Sequence, residues 1–129
     1  MNTILVEVSV GELLDKISIL EIKKEKIKDS EKLKFINDEC EVLKDQLDKN
    51  VKSDEKIDKL FQSLKEINAK LWIIEDDKRL CEKNSDFSEK FIKLSRDVHF
   101  LNDNRAKIKL EMNLHTGSKI REIKKFTNY

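Results

Sequence analysis

Four arginines stand among the 27 basic residues of this chain: Arg79, Arg96, Arg105 and Arg121. Lysine serves as the generic surface cation, a bias that reads as AT-rich codon usage. An arginine here marks a place where a planar, two-pronged donor is wanted. Three of the four fall within one polar region. One stripe there holds Asn68, Trp72, Glu75 and Arg79, and a second holds Ser95, His99, Asn102, Ala106, Lys109 and Asn113. Residues three and four apart share one face of a helix, so each stripe is a face. Arg105 occupies a seam position where an apolar residue is expected. Glu12, Asp15 and Lys16 form a third polar group beside the first apolar stripe.

Two chemistries suit these groups. One is an anion pocket between helices, lined by Arg79, Arg96, Arg105, Lys109 and His99. Trp72 is its flat wall, and Glu75 and Asn102 orient the cations or act on the ligand. The other is an ion-pair and hydrogen-bond network that fixes helix register. His99 can titrate near neutrality, and His115 suits the negative end of a helix. Neither histidine stands in HExxH or ExxH spacing, and glycine-rich phosphate loops, GxSxG and EF-hand loops do not occur. Cys40 and Cys81 form no CxxC pair and lie on apolar stripes, as buried reduced thiols do. The expectation is no metal and no cofactor.

The elements that must position these residues are helices. After an alternating segment, Ile4, Val6 and Val8, that reads as a strand pairing with the C-terminal segment or a second subunit, Ser9 to Glu12 forms a capping box. Helices are predicted over about 10–28, 31–49, 54–83 and 87–114, followed by a basic tail over 116–129. Ser53 is the expected cap of the third, and Ser85 or Asp86 of the fourth. Ile120, Ile123 and Phe126 could make the tail a docking arm. Apolar residues recur at alternating steps of three and four: Leu13, Ile17, Leu20 and Ile27; Leu33, Ile36, Cys40, Leu43 and Leu47; Ile57 through Ile74; Phe91 through Met112. Short connections make consecutive helices antiparallel neighbours. In that register Glu75 and Asp76 face Arg96, and Trp72 faces His99. The fold expected is an all-α, elongated antiparallel helical bundle of coiled-coil hairpins, one domain, with a short N-terminal extended segment.

Charged residues make up 41% of the 129, yet the net charge is only +1. Interleaved signs read as solvated helix faces and argue against nucleic-acid binding. The chain lacks both a signal-peptide pattern and a run of about 20 apolar residues, so a cytoplasmic protein with no membrane partner is expected.

The segments GELLDKISILEIK from Gly11, NAKLWIIED from Asn68, FIKLSRDVH from Phe91 and NDNRAKIK from Asn102 resemble a family of small bacterial proteins of unknown function. The likeness runs from Gly11 to Ser118, with a tyrosine-like position in the family where this chain has His99. It implies no activity, but singles out Glu12, Asp15, Lys16, Asn68, Trp72, Glu75, Asp76, Arg79, Arg96, Asn102, Asp103, Arg105 and Lys109. A second likeness is to all-helical chorismate mutases, which aim cations at a dicarboxylate. Helix one here has no arginine where that family uses one. The leading expectation is a non-enzymatic homodimer that binds a protein partner or a small anionic metabolite. The alternative is a chorismate-mutase-like helical enzyme acting on an anionic small molecule.

Overall fold

Helix starts in this chain are set by short polar side chains that accept orphan amides. Ser9 caps α1 (Val10–Lys26), its Oγ accepting from the Glu12 amide at 3.0 Å. Glu12, the other half of the expected capping box, turns its carboxylate to Lys109 of α4 instead. Asp29 caps α2 (Ser30–Asn50) through the amides of Glu31 and Lys32. For α3 (Glu55–Lys83) the cap is Asp54, which accepts from the Ile57 amide, while Ser53 donates to Asp58. The helix therefore begins one residue later than expected. Ser88 takes the cap position of α4 (Glu89–Thr116), and Asp86 accepts from its amide rather than capping the helix itself. Gly117, at φ 69°, ends α4 in the left-handed conformation that glycine adopts without a Cβ clash.

The computed structural model describes residues 2–125 and 127. Phe126, the third apolar residue of the expected docking arm, lies outside them, as do the last two residues of the expected tail. The fold is all-α: four helices, with no strand among the described residues. The expected pairing of the N-terminal segment with the C-terminal segment is a correction. Its alternation is real, but a strand needs a second edge to hydrogen-bond, and neither the tail nor any other described segment supplies one. Ile4 and Leu5 are consequently 86% and 91% exposed.

Helix α1 is the hub and packs against each of the other three. The core lies where it crosses α3 and α4, around Leu14, Ile57, Leu64 and Met112, with Val10, Leu47, Leu60, Phe61 and Ile108 against it. The approach of α1 to α4 is close enough to require glycine. A Cβ on Gly11 would lie 2.6 Å from the Lys109 carbonyl oxygen, and the Gly11 amide donates to Asn113 Oδ1 at 2.7 Å. Asp54, at the start of α3, meets His115 in the last turn of α4 at 2.7 Å, so α4 returns along α3. The core does not extend along the whole hairpin. From Trp72 to Ile108, Cys81 is the only apolar side chain that is buried. Helix α2 leans on α1 and buries Cys40 alone. No helix among the described residues is long and apolar enough to cross a membrane.

Candidate functional site

The polar residues that the helices bring together meet at the α1–α4 crossing. Asp15 is 2% exposed, and burying a carboxylate is costly unless it is matched. Arg105 matches it with two parallel donors: Nε to Oδ1 at 3.0 Å, and Nη2 to Oδ2. Asn68 of α3 donates from Nδ2 to Asp15 Oδ1 and to Ser18 Oγ, each at 2.8 Å, and Ser18 donates to the Asp15 carbonyl at 2.8 Å. One turn along α4, Lys109 Nζ donates to Glu12 at 2.8 Å and to Glu122 of the C-terminal segment at 2.9 Å, with Asp15 at 3.9 Å. No buried side-chain nitrogen or oxygen among the described residues is left without a partner.

The electrostatics follow from these contacts. The hydrogen bond from Asp15 raises the pKa of Arg105 against the cost of its burial. Burial is the largest influence on Lys109 and works against its charge, yet the bonds to Glu12 and Glu122 outweigh it and its pKa is raised. Lys109 and then Lys124 hold Glu122 ionised, with a pKa of about 2 in place of 4.5.

The residues singled out from the sequence divide into three sets. Glu12, Asp15, Arg105 and Lys109 belong to this network. Asn102 stands at its edge, on a depression of about 400 Å³ that Arg105 and Glu122 also line. Trp72, Glu75 and Arg79 line a separate cleft of about 340 Å³ between α1 and α3, with Ile19, Ile22, Asn68, Leu71 and Asp76; Arg105 reaches this one too. Lys16, Arg96 and His99 join neither: all three are exposed. Arg96 and His99 lie on the outward face of α4, one turn from Ile92 and next to Phe100 respectively. On that side Ile73, Ile74, Phe100 and Leu101 form a shallow apolar groove with Lys70 and Asp97 at its edges.

Ser18 and Glu122 had escaped the sequence reading. Ser18, three residues after Asp15, could have been found by asking what satisfies a carboxylate beside an apolar stripe. Glu122 carries no such signal, because its position depends on how the tail folds back. Among the described residues no group of three His, Cys, Asp or Glu side chains is placed to hold a metal.

The chain belongs to a family of unknown function, DUF6165, which it matches over residues 4–128. No curated protein and no solved structure matches it.

Proposed function

We propose that this is a non-enzymatic, cytoplasmic bacterial protein that acts as a homodimer, joined through the outer face of the α3–α4 hairpin in a coiled-coil-like contact. One observation carries the reading. Ile73, Leu80, Phe87, Ile92 and Phe100 lie on one stretch of hairpin and are between 46% and 55% exposed, while the hairpin beneath them has almost no buried core. Two-helix hairpins are marginal alone; a further apolar layer over this stretch stabilises them.

The occupant proposed is a second copy, on grounds of charge. A two-fold interface must be complementary to itself. Lys70 and Asp97 flank the apolar groove with opposite signs, and Arg96 lies a turn from Phe100. A copy turned about a two-fold axis can set Lys70 and Arg96 of one chain against Asp97 of the other, which also accepts from Lys93 of its own helix at 2.9 Å, while the apolar residues meet in the middle. The non-enzymatic part rests on the network at the α1–α4 crossing. Its cations are matched by the chain's own carboxylates, so they act on the fold. Buried free Cys40 and Cys81 suit a reducing compartment.

Sedimentation velocity on the wild type and on Phe100→Glu tests the proposal. The expected result is a dimer that the substitution converts to a folded monomer. A Phe100→Glu variant that sediments like the wild type would contradict it.

A further inference from the structure

Lys109 is 7% exposed, and a lysine so deep is seldom kept unless its charge is matched. Its Nζ donates to Glu12 at 2.8 Å and to Glu122 at 2.9 Å. The two carboxylates differ in how they are held. Glu12 stands in the first turn of α1, where its own amide is bonded to Ser9 and the neighbouring Gly11 amide to Asn113. Glu122 stands on residues 118–125, which form neither helix nor strand, and every residue from 119 to 125 is exposed. Ile120 and Ile123 are 40% and 85% exposed, so little apolar burial holds this segment down. Its root is Ser118, whose Oγ accepts from the Val10 amide at 3.3 Å. Four residues on, the Glu122 carboxylate reaches the buried lysine.

The surroundings have room for more than that carboxylate. The depression beside Lys109 measures about 400 Å³, within the range of ligand pockets. Asn102, Ala106 and Lys109 follow at steps of four and three along one face of α4 and line it. Ala106 has no side chain beyond its Cβ, so the space between the two polar groups stays open. The Asn102 amide is exposed at the rim and has no partner among the described residues. Charge decides the sign of a ligand here. With the Glu122 side chain turned out, Arg105, Lys109 and Lys124 stand against Asp15 and Glu12, one positive charge in excess. A single carboxylate restores neutrality, as Glu122 does in the structure.

We infer that Glu122 is an internal stand-in, and that the depression over Lys109 binds the carboxylate of a small organic acid with a polar body. The incoming carboxylate accepts from Lys109 Nζ in place of Glu122. The body of the acid lies over Ala106, and its far polar group meets the Asn102 amide. The C-terminal segment moves aside while Ser118 keeps its root, so the segment is a strap that competes with the ligand. This site lies at the α1–α4 crossing, away from the outer face of the hairpin, and does not depend on dimerisation.

The experiment titrates the full-length wild type and Glu122→Ala with 4-hydroxybutyrate at pH 7, followed by amide chemical shifts. The neutral 4-hydroxybutyramide and an equal concentration of sodium chloride serve as controls. Glu122→Ala changes one exposed side chain and is expected to keep the fold. In the wild type, 4-hydroxybutyrate is expected to shift Lys109 and residues 119–124 saturably, moving the latter towards their positions in Glu122→Ala. The variant is expected to bind about tenfold more tightly, as for a site whose open fraction rises from about one-tenth to one. Three results would overturn the inference: no saturable shift in the variant, an equal response to the amide or to chloride, or the same affinity in both proteins.

Discussion

Arg105 holds Asp15 across 90 positions of sequence with both arms of its guanidinium, Nε on one carboxylate oxygen and Nη2 on the other. This pair ties α4 to α1, and Asn68 adds α3 to the same carboxylate. Removing one partner of a buried pair costs more than the pair contributes, because the other charge stays behind in a dry site. Arg105→Ala is therefore expected to lower the free energy of unfolding by about 3 kcal/mol. Arg105→Lys should recover only part of that, since an ammonium cannot present two parallel donors. Urea denaturation of the three proteins checks this; equal stability of the alanine variant and the wild type would contradict it.

The Gly11 contact makes a second, sharper prediction. A methyl group at that position meets the Lys109 carbonyl, which is backbone and cannot swing aside. Gly11→Ala should destabilise the fold by about 1–3 kcal/mol through displacement of α1 from α4. Nothing stands within 4 Å of the corresponding position on Gly117, so Gly117→Ala should cost about 1 kcal/mol, from its positive φ alone. Thermal melts that rank the two substitutions in the opposite order would show that α1 does not approach α4 so closely.

Docking of the C-terminal segment is expected to depend on pH. The pKa of Glu122 in the fold is about 2, below its ordinary 4.5, because Lys109 and Lys124 bind the charged form. A lowered carboxylate pKa means that the contact is fully present above pH 4.5 and is lost as pH falls towards 2. The pKa of Lys109 is raised, so at the alkaline end the contact persists below 10.5 and is lost only as pH rises beyond it. Amide chemical shifts of residues 119–124, followed by NMR, should titrate with a midpoint near 2, and Glu122→Gln should abolish that titration. A midpoint near 4.5 would mean that Glu122 does not meet Lys109.

Much of this architecture is legible in the spacing of apolar residues. Steps of three and four over Leu13 to Leu20 and Ile57 to Ile74 locate α1 and α3, because one buried face is all a helix needs to declare itself. Arg105 stood out because it interrupts such a face, and Asp15 because it lies beside one. What spacing cannot show is which helix faces which. The hairpin register suggested that Glu75 and Asp76 meet Arg96, but Glu75 and Asp76 line the α1–α3 cleft, whereas Arg96 is exposed and joins neither the network nor the cleft. That division depends on α1 crossing at one end of the hairpin, a tertiary fact set by Gly11, Leu14 and Met112 together. The pairing of Ile4 to Val8 with the C-terminal segment failed for a related reason. Alternation specifies an extended segment, and only a partner edge turns it into a sheet.

The proposed cover of the hairpin's outer face is a second copy of the chain. Light scattering coupled to size exclusion measures that most directly, on the wild type and on Ile73→Glu. The wild type should show twice the 15.3 kDa of one chain, and the variant should fall to one chain's mass with its helical circular dichroism retained. A wild type of one chain's mass at all concentrations, or an Ile73→Glu variant that stays dimeric, would contradict the claim.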